Sequence, residues 1–157
     1  MRKRFTSGLV GGILALSCSV GAVPPEKVTG ESAFEALDGF LALSRLEPGA
    51  EVLGMVGFFG QPEPVQWLIL TSQPATPGVL REMIFARGRL LAERRLSPLP
   101  GQDLPHLAVD RSALKINSAA AFRIVEKLAC QQKRIFDTAH FQLRVRDLGS
   151  EPVWMLD

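Results

Sequence analysis

The chain has 157 residues, 18 basic and 16 acidic side chains, and a formal net charge of +2. Hydrophobic residues make up 46%, which excludes wholesale disorder and suits one compact domain or two very small ones. The basic excess sits in Arg2, Lys3 and Arg4, and without them the count is 15 against 16. The remainder has no surplus positive charge for nucleic-acid phosphates. Two cysteines and two histidines are too few for a four-ligand zinc site of those residues alone, and no cofactor or metal is implied.

Residues 1–22 have the layout of a secretory signal peptide: a basic triplet, the apolar run LVGGILAL at 9–16, and Val20-Gly21-Ala22 before a cleavage point. The apolar run is shorter than the roughly 20 residues that a transmembrane helix needs, and no later run resembles a span. The expected localisation is export, to a bacterial periplasm or beyond. Cys18, after Ala15-Leu16-Ser17, opens a second route, because the tetrad loosely resembles a bacterial lipobox and would leave a lipid-anchored product. With simple cleavage Cys130 is the remaining thiol, expected as a small buried hydrophobe near the end of a helix.

Residues 23–31 read as a proline-bearing linker. A first unit spans 32–95. Ser32 and Glu35 have capping-box spacing, and Phe34, Leu37 and Leu41 follow at helical period. Pro48-Gly49 ends that segment. Residues 52–59 are β-forming but carry Gly54 and Gly57, so a bulge or a close backbone approach is expected. Gln61-Pro62-Glu63-Pro64 is a turn, and 65–71 (VQWLILT) is a near-continuous apolar strand. Residues 79–86 and 89–94 form a hairpin about Arg87-Gly88. Arg81, Arg87, Arg89, Arg94 and Arg95 make it locally basic, with Glu82 and Glu93 diluting the charge.

Residues 96–113 read as a second linker, with prolines and a glycine over 96–105. The unit at 114–157 begins with Asn117 or Ser118 as N-cap and an apolar stripe of Ala121, Phe122, Val125, Leu128 and Ala129. Phe141, Leu143 and Val145 alternate with polar residues in a half-buried strand, residues 147–152 turn, and 153–156 (VWML) open another strand. Glu63-Pro64-Val65 and Glu151-Pro152-Val153 are identical triplets 88 residues apart. At that offset Ala33-Phe34 falls on Ala121-Phe122 and Met55 on Leu143. Trp67 and Trp154 stand one position out of phase. An internal repeat is therefore expected, with the second copy about 26 residues short of a hairpin like that at 79–94. The expected fold class is α+β: two helix-plus-antiparallel-meander units, the second lacking its last strands.

The helix at 118–129, the strand at 141–145, the Gly149-Ser150-Glu151-Pro152 turn and the Val153-Trp154-Met155-Leu156 strand together resemble the PepSY group over about 40 residues, with a fainter copy at 32–70. The resemblance implies a non-enzymatic module of exported or membrane proteins, some of them in protease propeptides. The closing strand with its usual Asp-x-x-Thr-Gly ending has no counterpart here.

The chemistry-bearing candidates are few. His106 stands between Asp103 and Asp110, and His140 on the polar side of a strand. Either could serve a hydrolase, but neither has a nucleophile motif beside it, and solvated positions are the simpler expectation. Trp67 and Trp154 read as core anchors. The expectation that carries function is an open edge at Val153, Trp154 and Met155, which would engage a protein partner or a second copy of the chain. A lipid-anchored structural component is the alternative.

Overall fold

The computed structural model describes residues 30–43, 46–146 and 151–157. The expected signal peptide at 1–22, with Cys18, residues 23–29 and residues 147–150 of the expected turn lie outside them.

The fold is α+β. Helix α1 (Ala33–Ala42) precedes strands β1 (Val52–Gly60), β2 (Trp67–Ser72), β3 (Leu80–Ala86) and β4 (Arg89–Leu96). Helix α2 (Ser118–Gln131) precedes β5 (Ala139–Val145) and β6 (Pro152–Leu156). All six strands lie in one antiparallel sheet of order β4-β3-β2-β1-β5-β6. The halves are therefore joined side by side through the β1–β5 pairing, and they share one core.

Two rows of side chains cross the sheet beneath the helices. One runs Phe85, Trp67, Gly57, Phe141, Leu156, and the other Met83, Ile69, Met55, Leu143, Trp154. The register explains Gly57. A Cβ there would lie 2.4 Å from Pro64 and 2.8 Å from the Trp67 ring, so the glycine leaves room for Trp67 and Phe141 to meet edge-on, with centroids 5.9 Å apart. The expected irregularity of β1 is present as register shifts between Val52 and Gly54 and between Gly57 and Gly60. The β3–β4 hairpin turns on Arg87 and Gly88, both at positive φ, as the two-residue turn with the matching twist requires.

The expected linker at 96–113 packs against the sheet. Leu104 and Pro105 lie near Gly54, Val56 and Leu68, and Asp103 pairs with Arg144 at 2.9 Å. Val109 then donates its N–H to the Val52 carbonyl at 2.7 Å, and Val109 and Leu114 are buried in the core. The apolar residues among the prolines have a surface to cover, which a free linker would not.

The halves use one device twice. Ser32 caps α1 and Asn117 caps α2. Trp67 Nε1 donates to the carbonyl of Glu31, just before the first cap, and Trp154 Nε1 donates to that of Ile116, just before the second, both at 2.8 Å. Buried Ala33, Ala36 and Leu37 correspond to buried Ser118, Ala121 and Phe122. This correspondence is offset by 85 positions in the helices, not by 88. The identical triplets are not equivalent, since Pro64 is buried in the β1–β2 loop while Pro152 opens β6. The helix N-termini also meet. Ser118 Oγ accepts from the Ala33 N–H at 2.9 Å and Asn117 Oδ1 from the Phe34 N–H at 3.1 Å, so the cap of α2 satisfies orphan donors of α1.

Candidate functional site

Among the described residues, strand β6 is a sheet edge. Asp157 and His140 exchange backbone hydrogen bonds at 2.8 and 3.2 Å, which fixes the alternation along β6. Val153 and Met155 direct their backbone polar groups to β5, while Trp154 and Leu156 direct theirs outward. Pro152, which has no N–H, falls on the outward set, where a proline costs no ladder bond. The strand Pro-Val-Trp-Met-Leu carries no charge.

Beside this edge lies an open groove of about 410 Å³ between β6 and α2. Ile116, Ala121, Ile124, Val125, Trp154 and Leu156 line most of it. Lys115 and Glu151 form a loose ion pair at its rim, 3.6 Å apart. Trp154 is half-buried, 6.1 Å from Phe141 and 6.2 Å from Trp67 between ring centroids. Its indole N–H is used by Ile116, so the ring is a fixed apolar wall. Ile124 and Leu128 are 51% and 50% exposed, and among the described residues the sheet ends at β6 on this side.

The expectation of a buried Cys130 is corrected, since the residue is exposed. Leu128 likewise leaves the expected core stripe. The exposed wall had a signal in the sequence, since Ile116 and Ile124 are apolar residues outside that stripe.

The first half shows the same place filled. There Phe40 on α1 packs edge-on against Phe85 of β3, with centroids 6.1 Å apart. By the helix correspondence, Phe40 matches Val125, which faces the groove.

The two histidines lie apart from the groove. His106 is exposed. Asp103 pairs with Arg144, and Asp110 caps the 3₁₀ turn at Arg111–Ala113, where hydrogen bonds from Ser112 hold its pKa below the usual carboxylate range. His140 meets Phe58 and Phe59 edge-on at 5.5 and 4.7 Å. The sequence reading missed this cluster because it depends on the bulge that sets Phe59 at positive φ. In the basic hairpin Arg81 bonds Glu47 and Glu93, and Arg94 bonds Glu82, so those arginines are neutralised locally. Among the described residues no three His, Cys, Asp or Glu side chains are grouped to hold a metal ion. Among them too, no helix is long and apolar enough to cross a membrane.

Glu35, in the first turn of α1, and Glu63, in the β1–β2 loop, are perturbed in opposite senses. The Ser32 hydroxyl and then its N–H hold the Glu35 carboxyl below the usual range. Burial, then the charge of Glu35, push Glu63 up, with Arg123 opposing. Both belong to the capping region, not to the groove.

No family model, curated protein or solved structure matches this chain.

Proposed function

We propose that the chain is a non-catalytic, exported interaction module of PepSY-like type that engages a polypeptide through the β6 edge. The observation that carries this reading is the uncharged strand Pro152–Leu156 with outward-facing backbone groups beside an apolar groove. Main-chain bonds to an added strand supply affinity, and side-chain pockets at alternate positions supply selectivity. Export rests on the layout of residues 1–22, and mass spectrometry of the processed protein should find Val23 at its N-terminus. A product starting at a lipid-modified Cys18 would make it the lipid-anchored alternative, and one starting at Met1 would contradict export.

The functional test is photo-crosslinking in the exporting cell. A photoreactive residue at Val153 should give discrete protein adducts, and one at Leu91 on β4 should give none. Equal yields at the two edges, or none at Val153, would contradict the reading.

A further inference from the structure

Resting on that reading, we infer that the groove takes an extended segment of another polypeptide as a seventh strand, antiparallel to β6, with large apolar side chains placed beside Trp154 and Leu156. The first half supplies the template. Trp67 and Trp154 make the same bond to the residue preceding their helix cap. Trp67 lies opposite Phe85 of β3, and Ile69 opposite Met83. Both β3 side chains are fully buried under α1. In the second half the strand matching β2 is β6, Trp154 takes the place of Trp67, and Leu156 that of Ile69.

The hydrogen-bond phase agrees. The Ser72 N–H points back toward the β1 side, to Glu51, at 2.9 Å, so Trp67 and Ile69 direct their polar groups to β3. Trp154 and Leu156 direct theirs outward in the same alternation. The cover agrees as well. Gly39 and Phe40 of α1 close over Phe85, with a Cβ on Gly39 falling 3.1 Å from that ring. Ile124 and Val125 hold the matching turn of α2 over the groove, with the bulk moved by one residue. An apolar side chain beside Trp154 would be covered by them, and a charged one would be desolvated without a partner.

A direct probe is a synthetic peptide with the sequence of residues 80–86, LREMIFA, titrated into the processed protein by tryptophan fluorescence and amide NMR. A nitroxide on the peptide N-terminus should broaden signals around Asp157, not around Pro152. N-methylation at the position of Phe85 should weaken binding by about tenfold or more, since it removes a ladder bond to Trp154. N-methylation at the position of Ile84, whose N–H faces away, should leave binding within about twofold. Ile124→Glu, at a half-exposed position on the groove wall, should also abolish binding while leaving the far-ultraviolet spectrum unchanged.

Broadening at Pro152, equal loss from both methylations, or absence of peptide binding would overturn the inference. So would sedimentation as a dimer crosslinked through β6, which makes a second copy the occupant, or a crosslink from β6 to residues 23–29 of the same chain. These failures leave adducts at Val153 in the cell unaffected, so they separate from failure of the interaction reading itself.

Discussion

Among the described residues the sheet ends in β4 on one side and in β6 on the other, and the two edges differ in charge, length and cover. Strand β4 has eight residues, including Arg89, Glu93, Arg94 and Arg95, and ion pairs to Arg81 and Glu82 tie it to β3. Strand β6 has five residues and no charge, and it adjoins a groove walled by Ile124 and Trp154. Charged side chains on an edge strand discourage pairing with another chain. The proposed further strand would enter at β6, the edge that carries no charge. The halves also show why β6 is short of cover: in the first, β3 and β4 continue the meander, and the packing of Phe85 under Phe40 completes it.

The largest effect should come from breaking the filled half. Trp67→Ala removes a fully buried ring and its bond to Glu31, and should cost about 3–5 kcal/mol in urea unfolding. Trp154→Ala removes a half-buried ring making the matching bond, and should cost about 1–2 kcal/mol. Equal costs would contradict the difference in cover. Next, Gly57→Ala forces a Cβ against Pro64 and Trp67, and should destabilise by about 1–3 kcal/mol by the same measurement.

The capping region sharpens the comparison through pH. The Glu35 pKa is lowered in the folded protein, so its stabilising contribution is present above the unfolded value of about 4.3 and is lost as pH falls through the folded value. The Glu63 pKa is raised, so its contribution is present below that unfolded value and is lost as pH rises through the folded one. Stability measured from pH 3 to 7 should therefore gain a steeper acid-side rise in Glu63→Gln and lose part of it in Glu35→Gln. Ser32→Ala should cost about 1 kcal/mol through the cap. The smallest effect is expected near the end of α2, where Cys130→Ser should change stability by less than about 0.5 kcal/mol because the side chain is exposed.

The elements were legible because their signals are local. The Ser32 and Glu35 spacing, the alternation at Phe141, Leu143 and Val145, and the Arg87-Gly88 turn each describe one short segment. Strand β6 was legible for the same reason, as a short apolar run with no charged residue in it. What escaped depends on contacts between distant segments. The offset of 88 rested on identical triplets, but Pro64 fills space beside Gly57 whereas Pro152 starts a strand. The caps and the tryptophan bonds mark the correspondence, and such bonds leave no trace in composition. Leu128 sits on the apolar stripe and Cys130 near the end of the same helix, and both are exposed.

Amide hydrogen exchange along β6 in dilute, processed protein tests the open edge most directly. The N–H groups of Val153 and Met155, turned toward β5, should be protected, while those of Trp154 and Leu156 should exchange at near-solvent rates and slow when the strand peptide is added. Trp154 and Leu156 as slow as Val153 and Met155 before any addition would mean that the edge is already paired, contradicting the account.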